Sequence, residues 1–200
     1  MKKDNKVFIP FIITLICSCI LVLAFFLPIA SATKEYRELI DRHPDEIAIA
    51  EVDMSYKQMK DLSLFSYAKV YRVTATLDSM SEHDRGESII CLVLIITIGV
   101  SSVLCVLFSG LKKPIGIFIF DLLAFGAFRA LMWDLNDRRV LPSDNYYVGI
   151  ANIVYMAGVI ILFAGAVWLL VMKRKEKKRA SVRNEEREFN EEIPVHPEEK

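Results

Sequence analysis

Two charged side chains, Asp121 and Arg129, lie within an otherwise apolar segment, residues 114–133. A carboxyl group inside a membrane can exchange a proton or hold a cation, whereas a guanidinium pairs with acids or anionic groups. On one helix the two positions would be about 12 Å apart along the axis and about 80° apart around it, beyond side-chain reach. We therefore expect no ion pair between them.

Asp121 is predicted near mid-membrane, because about 12 Å of helix separates it from Lys113 at the cytoplasmic end. The same depth arithmetic places the hydroxyls of Thr14, Ser101 and Ser102 close to its level. These groups could donate hydrogen bonds that offset the cost of burying a carboxyl group. A structural role for Asp121 is the main prediction, and proton or cation transport is the alternative.

Arg129 is predicted close to the outer edge of the membrane, level with Tyr155. A long basic side chain at this depth extends to the surface while its aliphatic part stays in the lipid. We expect the guanidinium to reach toward Asp134, Asp137 or the acidic residues of the outer loop. This pattern is typical of an interfacial anchor.

Other residues with reactive side chains form no recognisable site. Two cysteines, Cys17 and Cys19, lie in the first apolar segment and two, Cys91 and Cys105, in the second, and the three histidines are scattered. Motifs of zinc peptidases, serine hydrolases and nucleotide-binding proteins are missing from the sequence. We therefore expect no enzyme, no metal site, no cofactor and no nucleic-acid partner.

Four apolar segments must position these residues, and each is long enough to cross a bilayer, which takes about 20 residues as a helix. They are residues 7–30, 88–111, 114–133 and 146–172. The sequence predicts an all-α membrane protein, a four-transmembrane-helix bundle with a partly helical extracytoplasmic loop between helices 1 and 2. The first segment is interpreted as an uncleaved anchor; a signal peptide cut near Ala30 is the alternative.

Basic residues indicate the orientation. Lys2, Lys3 and Lys6 precede the first segment, Lys112 and Lys113 follow the second, and a basic cluster follows the fourth. By the positive-inside rule these parts face the cytoplasm. The predicted order is a cytoplasmic N-terminus 1–6, a span 7–30, an outer loop 31–87, a span 88–111, a turn 112–113, a span 114–133, an outer loop 134–145, a span 146–172 and a cytoplasmic tail 173–200.

The loop 31–87 contains no cysteine, which suits a bacterial plasma membrane better than an oxidising secretory route. Ser55 and Gln58 have the spacing of a capping box, and the run from Tyr56 to about Leu77 lacks Gly and Pro. The sequence predicts one helix there. Its wide apolar surface needs a cover, either the bundle itself or a partner protein.

Small residues recur at helix-packing spacings in the second and fourth segments. Such residues let membrane helices approach closely, so these stripes are predicted contact faces. They are Thr97, Ser101, Cys105 and Ser109 in the second segment, and Ala151, Gly158 and Gly165 in the fourth.

The tail begins with a basic cluster that is predicted to contact anionic lipid headgroups. The cluster comprises Lys173, Arg174, Lys175, Lys177, Lys178 and Arg179. Residues 180–200 are mainly acidic and contain two prolines, which predicts a solvated, disordered end.

The order of four spans with a long first loop and a short second one is similar to claudins and tetraspanins. The paired loop cysteines of claudins and the Cys-Cys-Gly of tetraspanins are missing, so the similarity implies no function. We predict a non-enzymatic interaction or accessory protein of the cell envelope. Besides the lipid bilayer, its partner would be another protein or a second copy, bound through the outer loop or the small-residue faces. The alternative is a small oligomeric transporter or channel that uses Asp121.

Overall fold

The computed structural model describes residues 7–77 and 80–192, with side chains as far as residue 184. The fold is mainly helical. Among the described residues, three apolar helices are long enough to cross a membrane: α5 (Glu82–Gly110), α6 (Pro114–Asp137) and α7 (Ile150–Glu192). The apolar helix α1 (Phe8–Ala24) has 17 residues and spans about 25 Å at 1.5 Å per residue.

Helices α5 and α6 form an antiparallel pair with a short turn. The Ser81 hydroxyl accepts a hydrogen bond from the backbone N–H of Asp84, which starts α5 six residues before the predicted span. The turn ends at Pro114, whose missing N–H costs nothing in the first turn of a helix. We call this end of the bundle the tail end and the opposite end the sheet end.

Helix α1 packs along α7 and α5. Close approach to α7 is possible because two positions of α7 lack a side chain: a Cβ at Gly158 would lie 2.7 Å from Leu21, and one at Gly165 would lie 2.9 Å from Thr14. The bundle interior is closed by large apolar side chains such as Ile95 and Phe128. Many apolar side chains elsewhere face outward, as expected for helices solvated by lipid.

A three-stranded antiparallel sheet covers the sheet end. Its strands are β1 (Pro28–Ala32), β4 (Asp61–Ser63) and β5 (Tyr146–Val148), in the order β4-β1-β5. Ser31 lies opposite Asp61 on one side and Tyr147 on the other. Since β1 follows α1 and β5 precedes α7, the sheet joins the ends of the first and last helices.

The rest of the connection between α1 and α5 is a set of short elements. They are α2 (Lys34–Ile40), β2 (Ile47–Ile49), a 3₁₀ turn (Ala50–Val52), β3 (Met54–Ser55), α3 (Tyr56–Met59) and α4 (Leu64–Thr74). We call residues 25–77 and 138–149 together the sheet-end domain. The Arg37 guanidinium lies 2.7 Å from Asp61 Oδ1 and ties α2 to the sheet.

The structure differs from the sequence prediction in four places. The capping box at Ser55 is confirmed, but a single helix from Tyr56 to Leu77 is wrong because Asp61–Ser63 pairs with β1 and Ser63 caps a second helix. Strands replace the predicted outer ends of two spans, at Pro28–Ala32 and Tyr146–Val148. Helix α7 continues through residues 180–192, where disorder was predicted, because Arg and Glu are strong helix formers. The predicted N-terminus 1–6 and residues 193–200 lie outside the described residues.

Candidate functional site

Asp121 lies in the interior of the bundle with 1% of its surface exposed. Cys17 on α1, Cys105 on α5 and Tyr155 on α7 are all within electrostatic range of its carboxyl group. Its Oδ1 atom is buried and has no hydrogen-bond partner among the described residues. A buried polar atom of this kind is costly, so the position needs a physical reason.

The hydroxyl groups predicted to serve Asp121 are bonded elsewhere. Thr14 donates to the Phe11 carbonyl at 2.9 Å, and Ser102 donates to the Ile98 carbonyl at 2.8 Å. Ser101 is buried, and no hydrogen bond joins it to Asp121 in the described part of the chain. The expected hydrogen bonds are therefore wrong, because serine and threonine within helices commonly bond to the carbonyl one turn earlier.

Tyr155 fills the space beside Asp121 rather than meeting Arg129. Its ring stacks on Phe128 with 4.3 Å between centroids, and its hydroxyl is 3.5 Å from Ser102 Oγ. Arg129 lies on the exposed face of α6, one turn before Trp133, which is 70% exposed. The expectation that Arg129 reaches Asp134 is wrong, since another arginine holds that carboxylate.

That arginine is Arg138, the centre of a polar cluster that the sequence analysis missed. Arg138 pairs with Asp134 on its own helix and with Glu87 Oε2 on α5 at 3.0 Å. The Cys91 thiol donates to Asp134 Oδ2 at 3.1 Å, and Arg138 Nη2 lies 3.0 Å from Cys91 Sγ. The sequence does contain the pattern that indicates this cluster. Asp134 and Arg138 are four residues apart, and so are Glu87 and Cys91, at helix ends that meet.

Electrostatic interactions explain why the side chains of the Arg138 cluster stay paired. Burial by itself would lower the pKa of Arg138, but hydrogen bonding to Asp134 and the neighbouring Tyr71 and Cys91 raise it above its usual range. Burial also raises the pKa of Tyr71, which covers the cluster from α4. Arg138 pairs with both carboxylates and Tyr71 covers it, so the cluster fastens α4, α5 and α6 together.

The predicted contact faces lie mostly inside the chain. Cys105 Sγ is 3.8 Å from the Ile117 carbonyl on α6, and Ser109 Oγ is 3.4 Å from both Ser18 Oγ and the Thr14 carbonyl on α1. Ala151, Gly158 and Gly165 are buried as well, whereas Thr97 is half-buried and donates to the Val93 carbonyl.

The basic cluster of the tail lies on the continuation of α7. Lys173 Nζ donates to the Lys112 carbonyl at 2.5 Å, which fixes the start of the cluster beside the turn between α5 and α6. The remaining members are exposed: Arg174, Lys175, Lys177, Lys178 and Arg179. Lys112 itself lies over the Phe11 ring, 4.6 Å from its centroid.

A groove opens in the sheet-end domain between α4 and the segment that leads into β5. Its volume is about 380 Å³. Apolar side chains form most of its wall, among them Met54, Met59, Leu62 and Val70, and Arg139, Ser143 and Asn145 add polar groups at one side. We call this the sheet-end groove.

Aromatic contacts and hydrogen bonds fix the positions of residues around the sheet-end groove. Tyr146 donates from its hydroxyl to the Met59 carbonyl at 2.8 Å and packs edge-on against Tyr36. Tyr67 stacks on Tyr71 at 5.9 Å, and burial raises its pKa to about 12. Arg139 is exposed and forms no ion pair within the described residues, so its guanidinium is available to a bound molecule.

Within residues 7–77 and 80–184 no three His, Cys, Asp or Glu side chains are placed to hold one metal ion. The sheet-end groove has the shape and the free polar groups of a binding site, and Asp121 has a buried carboxyl oxygen without a hydrogen-bond partner among the described residues. Comparison of the chain with family models, with curated proteins and with solved structures finds no match.

Proposed function

We propose that the chain crosses a bacterial plasma membrane four times, with both termini in the cytoplasm and the sheet-end domain outside. Helix α1 would be the fourth span: it packs along α7 and α5 and exposes Ile16, Ile20 and Leu23 on its outer face. Its length of about 25 Å suits a bilayer once the turn that follows is added. The basic residues at the tail end support the orientation.

Within that frame the protein would act as an interaction or accessory protein of the cell envelope. The observation that carries this proposal is the sheet-end groove, about 380 Å³ in volume, with apolar walls and a free arginine at its rim. Concave, mainly apolar sites with a few polar groups are the usual places for binding. An apolar segment of a partner protein with an acidic residue beside it would match both the walls and Arg139.

The small-residue faces contribute less to this proposal than the domain does. Ser101, Cys105, Ser109, Gly158 and Gly165 are already buried between helices of the same chain. A partner or a second copy would therefore meet the sheet-end domain rather than these faces. The exposed side chains of Leu39 and Ile47 extend the apolar surface outside the groove.

Transport through Asp121 is the second candidate, and one observation favours it. The Oδ1 atom of Asp121 lacks a hydrogen-bond partner in the described structure, which leaves it free for a proton or a cation. Against this candidate, the other charged residue of the same apolar segment, Arg129, faces outward and cannot extend a route through the interior.

Site-specific crosslinking in intact cells tests the first candidate. A photoreactive phenylalanine at Asn145, in the groove, is compared with the same residue at Glu38, an exposed position on α2 outside it. We expect one protein of defined mass to be crosslinked from Asn145 alone and to copurify in stoichiometric amount from mild detergent.

Equal crosslinking from Asn145 and Glu38 would contradict the proposal that the sheet-end groove is the contact site for a partner. Purification of a homo-oligomer without another protein, together with loss of the cellular phenotype in a well-folded Asp121→Asn variant, would favour transport instead.

A further inference from the structure

A second groove lies between α4 and the 3₁₀ turn, on the other side of α4 from the sheet-end groove. Its volume is about 490 Å³. Leu92 of α5 contributes to its lining, with Phe65 and Ala68 of α4 on one wall and Val52 on the other. We call it the boundary groove.

Contacts of α4 place the boundary groove where the membrane begins. Tyr71 of α4 lies beside Cys91, which is just inside the apolar part of α5. At the start of α4 the Phe65 N–H donates to the Phe25 carbonyl at the end of α1, and the Phe65 ring is 5.7 Å from that of Phe26. Phe26 and Phe65 are 58% and 44% exposed, as aromatic rings at an interface are.

Opposite charges line the two walls of this groove. Lys69 and Arg72 are three residues apart on α4 and share a face of that helix, while Glu51 and Asp53 belong to the opposite turn. Lys69 lies over the Phe65 ring at 4.9 Å. Among the described residues none of these four side chains belongs to an ion pair.

Beneath the groove an apolar track continues along α5. Val93, Ile96 and Val100 follow the groove residue Leu92 toward the tail end and lie on one exposed face of that helix, at spacings of three and four residues. A lipid whose headgroup enters the groove could place an acyl chain along this face. The site therefore combines an apolar track with a headgroup pocket that has one basic and one acidic wall.

We propose that the boundary groove binds phosphatidylethanolamine, a phospholipid whose headgroup carries a phosphate, a primary ammonium and no further charge. The phosphate pairs with Lys69 and Arg72, and the ammonium donates hydrogen bonds to Glu51 and Asp53. Charge-assisted hydrogen bonds of this kind are directional and are stronger than neutral ones. A choline headgroup lacks the N–H donors, and a glycerol headgroup lacks the positive charge.

The test is native mass spectrometry of the delipidated full-length protein, titrated with phosphatidylethanolamine, phosphatidylglycerol or phosphatidylcholine of the same acyl chains. One double variant, Glu51→Gln with Asp53→Asn, removes the acidic wall. Asparagine tolerates the left-handed backbone of position 53, where φ is 49°. The other double variant, Lys69→Gln with Arg72→Gln, removes the basic wall.

For the unmodified protein we expect phosphatidylethanolamine to bind roughly tenfold more tightly than the other two lipids, as charge-assisted hydrogen bonds imply. The acidic-wall variant should lose this preference, and the basic-wall variant should bind all three lipids weakly. Controls are Glu38→Gln and Lys57→Gln, exposed charges outside the groove, which should behave like the unmodified protein. Equal binding of the three lipids by the unmodified protein, retained preference in the acidic-wall variant, or unchanged affinity in the basic-wall variant would each overturn the proposal.

Discussion

Replacement of Gly149 by alanine should weaken the contact between the sheet and the start of the last helix, α7. Gly149 is buried between β5 and α7, and its N–H donates to the Ile29 carbonyl at 2.7 Å. A Cβ at this position would lie 2.3 Å from the Pro28 carbonyl oxygen and 2.8 Å from its carbon. Both atoms belong to the backbone of β1, so no side chain can rotate away to make room.

The two strands must separate by about 1 Å to reach ordinary contact distance, which is 3.5–4.0 Å between carbon atoms. Overpacking of a buried position costs about 1–3 kcal/mol. Weakening the Gly149–Ile29 hydrogen bond adds about 1 kcal/mol. We therefore expect Gly149→Ala to lower the free energy of unfolding by about 2–4 kcal/mol.

Unfolding of the purified protein in mixed micelles, followed by circular dichroism as the fraction of denaturing detergent rises, measures this change. Gly126→Ala is the matched control, because a Cβ there meets no atom within 4 Å. In a helix the alanine should be neutral or stabilising by up to about 1 kcal/mol. If Gly149→Ala unfolds at the same detergent fraction as Gly126→Ala, the reasoning about the close approach of β1 is refuted.

Three further predictions concern the carboxyl group of Asp121, the pH dependence of stability and the orientation of the chain in the membrane. If the carboxyl group of Asp121 has only a structural role, Asp121→Asn should fold and keep the cellular phenotype of the unmodified protein. A folded Asp121→Asn variant with the phenotype of a gene deletion would indicate transport. Asp121→Leu, which removes the polar group altogether, is the companion variant. Because burial raises the pKa of Tyr67 to about 12 from about 10 in the unfolded chain, the contribution of Tyr67 to stability should be constant below pH ~10 and decrease between pH ~10 and ~12. Tyr67→Phe should reduce that decrease in a pH-dependent unfolding series. A reporter that is active only outside the cell should work when fused within 31–77 or near Asp137 and be silent after Lys113; the reverse pattern would invert the proposed orientation.

Apolar segments and helix caps could be read from the sequence because both are local. The runs that contain Cys91, Asp121 and Tyr155 were predicted as membrane-length helices, and α5, α6 and α7 have that length. The capping box at Ser55 was also found where its spacing indicated. Their ends were less predictable, since α5 begins before its apolar run at a cap formed by Ser81.

The sheet escaped prediction because its strands are only three to five residues long and pair over long distances. Nothing within Asp61–Ser63 or Tyr146–Val148 indicates that both pair with the strand after α1. The same limitation applies to Arg138, whose importance depends on the meeting of α5 with α6.

The pairing of β1 with β5 also sets the order in which the molecule can be completed during synthesis. β1 leaves the ribosome early, whereas β5 and the groove residues Arg139, Ser143 and Asn145 follow five helices later, after α2 to α6. On the proposed topology the sheet has an open edge, and the sheet-end groove lacks one wall, until residues 138–149 have reached the side of β1. If the proposed topology holds, a nascent chain presents a complete groove only after α6 and the segment that follows it have been synthesised.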